Sequence, residues 1–140
     1  MELIDFLQLG MNREETFLVE ETHSARHIGS GASRVLATPW MIAFMERNAH
    51  RLLAEKLPEA YSSVGVLVNV RHLAPTPVGS KLRVSAEVVE IDGLKVIFKV
   101  QAWDEQELVG DGMHERFVVD ASRFLQRVEK KISSMRTANC

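Results

Sequence analysis

The stretch Thr38-Pro39-Trp40-Met41-Ile42-Ala43-Phe44-Met45-Glu46 constrains the fold of this chain more than any other. Thr38 before Pro39 reads as an N-cap with a preorganised first turn, and Pro58 stops the helix after about Leu57. From Trp40 to Met45 the helix is apolar on every face, so it has to be covered on every face. Glu46 then places a carboxylate in the interior, where an ionised group without a partner is costly. That residue is either paired or used for chemistry.

The cover has to come from strands, because only one other segment has helical periodicity. Runs near 63–73, 81–91, 94–103 and 108–119 have strand character. Leu82, Val84, Ala86 and Val88 alternate with Arg83, Ser85 and Glu87, so the second run has one wet face. The third behaves alike, with Val96, Phe98 and Val100 against Lys95, Lys99 and Gln101. Asp92-Gly93 predicts a tight hairpin between them, and the last three runs form an antiparallel meander. A short strand is expected from Thr16 to Val19, followed by a Gly-, Ser- and Ala-rich loop from Ser24 to Ser33. Phe124, Leu125, Val128 and Ile132 have helical spacing within a charged terminal helix, from Asp120 or Ser122 to about Ser134. A buried helix followed by a long antiparallel sheet defines an α+β class in which the sheet wraps the helix.

With 140 residues, one domain spanning 1–140 is expected. A net charge of -2 with mixed signs disfavours nucleic acid and supplies no polybasic membrane patch. No apolar run approaches spanning length, and acidic Glu2 and Asp5 stand where a secretory signal has basic residues. The single cysteine, Cys140, neither staples a fold nor sits in a pocket, which fits a reducing, cytoplasmic setting.

A second polar residue of interest is His72, which follows the apolar run from Val64 to Val70. Taken singly, each candidate has an ordinary role. Glu46 can pair with Arg47, His50 or Arg51, and His72 can be a solvated loop residue. Gly65 can mark a bulge, Arg116 a solvent-side ion pair, and His114 a position on a sheet face. His23 and His27 have i,i+4 spacing but lack further ligands, and there is neither a phosphate-cradling loop nor a serine elbow. No cofactor or metal is implied.

Together, four ordered motifs resemble the hotdog-fold acyl-CoA thioesterases, and more narrowly the fluoroacetyl-CoA thioesterase-like family. They are Ala37-Thr38-Pro39-Trp40-Met41, Phe44-Met45-Glu46, the segment from Val70 to Gly79 that contains His72, and Gly110-Asp111-Gly112-Met113-His114-Glu115-Arg116. The resemblance implies Thr38, Glu46 and His72 as a catalytic set, and Gly65 and Arg116 as substrate-binding residues. It also implies an acyl-CoA substrate and a homodimer or dimer of dimers; His114 is left as structural. The fluoroacetyl-CoA enzyme has a longer, aromatic lid where this chain has Ile28 to Ser33 with no aromatic residue, so the acyl group stays open.

A thioester's leaving thiol has a pKa near that of free cysteine, about 8.5, and needs little acid help. Water activation and oxyanion stabilisation remain. Glu46, desolvated among Trp40, Met41, Phe44 and Met45, can act as general base or as nucleophile. His72 can orient the water, hydrogen-bond Glu46 or protonate the sulfur, and Thr38 can hold the water or the carboxylate. A backbone N–H such as that of Gly65 can approach the thioester oxygen. Met41, Met45 and Val66 are the expected apolar pocket lining. A non-catalytic acyl-CoA-binding module and an enoyl-CoA hydratase are the alternatives.

Overall fold

The computed structural model describes residues 1–138, and Cys140 lies outside the described residues. In chain order the elements are β1 (Asn12–Leu18), α1 (Ala25–Ile28), α2 (Thr38–Lys56), β2 (Tyr61–His72), β3 (Lys81–Asp92), β4 (Lys95–Trp103), β5 (Leu108–Asp120) and α3 (Ala121–Ala138). The five strands form one antiparallel sheet in the order β1-β3-β4-β5-β2, so β1 and β2 are its edges. The long helix α2 packs against all five. Among the described residues, no helix is long and apolar enough to cross a membrane.

Burial explains why the wrapped arrangement wins. Met41, Phe44, Met45, Leu52 and Leu53 of α2 and Val84, Val88, Phe98 and Val100 of β3 and β4 are all at most 2% exposed. Each such side chain contributes roughly 1.5–3 kcal/mol on leaving water. The one fully buried polar residue of α2, Asn48, is satisfied: its Oδ1 accepts from Arg13 Nη1 at 2.8 Å and its Nδ2 donates to the Arg13 carbonyl at 2.7 Å. Those bonds account for β1 starting earlier than expected. Its inward residues Arg13 and Glu15 carry charge, so only Phe17, stacked on Phe44 at 4.3 Å, gives an apolar signal.

Other local expectations are adjusted in the same way. Ala37, not Thr38, is the N-cap of α2; Thr38 is the first helical residue and makes no capping bond. Part of the expected loop is α1, whose N-cap Ser24 accepts from the His27 N–H at 3.1 Å and whose C-cap Gly29 takes φ +79°. In the β3–β4 hairpin Asp92 pairs with Lys95, so the turn residues are Gly93 and Leu94. Residues 121–137 of α3 are exposed throughout, including Phe124, Leu125, Val128 and Ile132.

Candidate active site

Two polar clusters lie along α2. At its first residue, Thr38 Oγ1 is 2.7 Å from His72 Nδ1. His72 sits at the end of β2, opposite Gly110 of β5, and both face inward. Its Nε2 is buried and makes no hydrogen bond. Burial lowers the pKa of His72, opposed by the Ala74 carbonyl, so the ring is held toward its neutral form. Beside this pair opens a cavity of about 340 Å³, walled by small residues including Ala25, Ser30, Ala37 and Ala74.

The second cluster gathers around Glu46, two turns further along α2. Gly65 of β2 and Arg116 of β5 are register partners on the inward side of the sheet. Glu46 Oε2 occupies space that a side chain at position 65 would need: a Cβ there would lie 2.6 Å from it. Arg116 Nη1 is 3.7 Å from the same oxygen. The guanidinium makes three hydrogen bonds, with Nε donating to Ser63 Oγ at 2.9 Å, Nη2 to the Ser63 carbonyl at 3.1 Å, and Nη1 to His114 Nε2 at 3.2 Å. His50 Nδ1 meets Ser63 Oγ at 3.2 Å. Burial lowers the pKa of His50, reinforced by the positive charges of Arg116 and Arg51.

Several residue-level expectations change here. The Glu46 side chain is 40% exposed in the single chain, so it is not the desolvated carboxylate expected from its neighbours. Arg47 lies over Phe17 and Phe44, His50 meets Ser63 and Arg51 pairs with Glu15, which leaves Arg116 as the cation facing Glu46. Arg116 is buried on the core side, not on the solvent side. Gly65 does mark a bulge, since the β2–β5 ladder slips between Gly65 and Leu67. Met41 and Met45 belong to the core and Val66 is exposed, so none of the three walls the cavity beside His72. Nor does Glu46 reach His72 within one chain, because Thr38 and Glu46 are about 12 Å apart along the helix axis.

His114, Ser63 and His50 were not singled out as site residues from the sequence. Parity would have found the first: His114, Arg116 and Val118 alternate on the core side of β5, and all three are buried. Imidazole and guanidinium on that face require partners.

A five-stranded antiparallel sheet around one long helix is the architecture of the hotdog class of the thioesterase superfamily. A hot-dog-like protein from Thermanaerovibrio acidaminovorans superposes with a TM-score of 0.86 at 26% identity, over 94% of this chain and 97% of that one. The family model for fluoroacetyl-CoA-specific thioesterase matches residues 19–122. The chain belongs to that family and so to the acyl-CoA thioesterases. It is 29% identical over 133 residues to the fluoroacetyl-CoA thioesterase of Streptantibioticus cattleyicolor, covering 91% of this chain and 96% of that one. A point variant of a fluoroacetyl-CoA thioesterase, solved in complex with acetyl-CoA, has a TM-score of 0.83 at 28% identity, over 89% of this chain and 98% of that one.

Proposed function

We propose that this chain hydrolyses acyl-CoA thioesters to free acid and CoA, with Glu46 as general base or nucleophile, Thr38 and His72 as its assistants, and Gly65 and Arg116 binding substrate. The observation that carries the reading is the distribution of polar groups along the inner face of β2. Glu46 and Arg116 converge on Gly65 near one end, while Thr38 and His72, with an unpartnered Nε2, meet at the other. Among the described residues that Nε2 is the buried side-chain nitrogen or oxygen that makes no hydrogen bond, and such an atom calls for a functional explanation.

The two halves come together when a second copy adds to the β2 edge. That edge is unpaired, and Val66, Leu67 and Val68 on it are 52%, 44% and 39% exposed. Long exposed apolar edges invite strand pairing. Antiparallel pairing centred on Asn69, midway along the ladder from Gly65 to His72 once the bulge counts as one step, sets Glu46 and Gly65 of one chain beside Thr38 and His72 of the other. The partner also covers Glu46, which then operates in a drier setting. A homodimer is thus the working unit, and pairs of dimers are compatible with it.

In that arrangement Arg116 orients the Glu46 carboxylate, which takes a proton from water attacking the thioester carbon, or attacks that carbon itself. Thr38 and the Nε2 of His72 hold the reacting carbonyl or the water. The bulged backbone at Gly65 lets an N–H reach the carbonyl oxygen, a donor typically worth about 100- to 1000-fold in rate.

Thiol release from a panel of acyl-CoAs, including an enoyl-CoA, tests this reading. Release is expected from short and medium chains. Tight binding without release, or water addition to the enoyl-CoA alone, would contradict it. Sedimentation should give about twice the 15.8 kDa chain mass, or a multiple of that dimer; a lone 15.8 kDa species would exclude the shared site.

A further inference from the structure

We propose that His114 is a positioning residue that fixes both walls of the Glu46 site, the bulge of β2 and the Arg116 guanidinium. Its function, though not its geometry, rests on the thioesterase reading of that site. His114 is 1% exposed and lies two residues from Arg116 on the inward face of β5. Its Nδ1 is 2.9 Å from the Leu67 carbonyl, which can only accept, so Nδ1 carries the proton. Nε2 is then a lone pair, and it accepts from Arg116 Nη1 at 3.2 Å. Both ring nitrogens are therefore committed, one to each wall.

The partners are specific in position. Leu67 is the residue at which the β2–β5 ladder resumes after slipping at Gly65. Tying its carbonyl to β5 through a side chain holds the bulged backbone over which Glu46 lies. Arg116 is the cation facing Glu46, and with Ser63 taking Nε and Nη2, His114 is what restrains Nη1. The charged groups around the ring are Arg116 and Glu115 from β5 and Glu46 from α2, while β4 contributes the stacked Phe98 ring at 6.3 Å. A phenylalanine would fill the same volume as His114. It would leave the Leu67 carbonyl and one arm of Arg116 unpaired, and Glu46 free to shift; displacement of a reacting group by about 1 Å typically costs as much as 100-fold in rate.

The test combines kinetics with a measurement that needs no substrate. His114→Phe should lower kcat about 10- to 100-fold and raise KM by a smaller factor, since Arg116 also binds substrate. His114→Gln, whose amide reaches the Nε2 place and can accept from Arg116, should recover most of it. His114→Asn, whose amide reaches only the Nδ1 place, should fall between them. Wild-type kcat in folded His114→Phe, or equal losses in the Phe and Gln variants, would overturn the proposal. If His114→Phe does not fold, Gln above Asn supports it and Asn equal to or above Gln overturns it. Imidazole ¹⁵N spectra of the wild-type protein should show His114 protonated at Nδ1 and bare at Nε2 at neutral pH; the opposite tautomer overturns the proposal even if no acyl-CoA is hydrolysed. Failure of hydrolysis in the wild type would instead strike the thioesterase reading and leave the tautomer measurement to decide the geometry.

Discussion

The two ends of the β2 inner face differ in how far one chain satisfies them. Around Arg116 nearly every donor has a partner inside the chain, from Ser63, His114 and Glu46. Around His72, Nδ1 meets Thr38 while the buried Nε2 makes no hydrogen bond beside a cavity. A cluster with most of its donors paired holds its members in place, whereas one with an unpaired buried nitrogen is open to a ligand. In the proposed function each carries half of the chemistry of thioester cleavage.

The sharpest contrast comes from removing one functional atom in each half. Glu46→Gln keeps the shape of the side chain but cannot take water's proton, and should lower kcat about 100- to 10,000-fold without unfolding the chain. His72→Ala should lower kcat more than it weakens acyl-CoA binding, since its interaction belongs mainly to the transition state. If Glu46→Gln retains wild-type kcat by thiol-release assay, Glu46 is only the ion-pair partner of Arg116.

Gly65→Ala probes the Arg116 half by space rather than charge. The new Cβ would lie 2.6 Å from Glu46 Oε2 and 3.4 Å from Arg116 Nη1, so the carboxylate must move. Turnover should fall roughly 10- to 100-fold, as for small misplacements of reacting groups. Thermal melting should shift by only a few degrees, because the Glu46 side chain is 40% exposed and has room to swing away. An unchanged kcat would show that the approach of Glu46 to the strand is incidental.

How much of this was legible in the sequence follows from where the apolar signal is strong. The wrapped helix and the β3–β4 hairpin could be read because Phe44, Val84 and Phe98 bury clean apolar faces. The start of β1 was hidden, since Arg13 and Glu15 face inward, where Arg13 pairs with Glu55 and donates to Asn48 and Glu15 pairs with Arg51. Thr38 was legible as important but not in its role: Ala37 takes the cap position and frees the Thr38 hydroxyl for His72. Spacing alone could not show that Glu46 faces Arg116 rather than its neighbours on α2, because that depends on the register of Gly65 with Arg116. The role of His114 needed both that register and the bulge beside it.

The smallest expected effect is on stability. His50, His72 and His114 all have pKa values lowered by burial from 6.5. Below 6.5 the unfolded chain binds more protons than the folded one, so stability is fully present above that pH and is lost as pH falls through the folded values. Melting at pH 5.5 should occur a few degrees below that at pH 7.5, and His114→Gln should narrow the gap. A higher melting temperature at the lower pH would show that these imidazoles are not held neutral.

In the proposed dimer, Glu46 of one chain works with Thr38 and His72 of another. Co-expressing the Glu46→Gln and His72→Ala chains under two affinity tags and isolating the mixed dimer tests it directly. With the site shared between chains, the mixed dimer contains one intact site and one doubly damaged site. It should recover about half the activity of a wild-type dimer, although each variant alone is nearly inactive. A mixed dimer as inactive as its two parents would place Glu46 and His72 in the same chain's site and contradict the account.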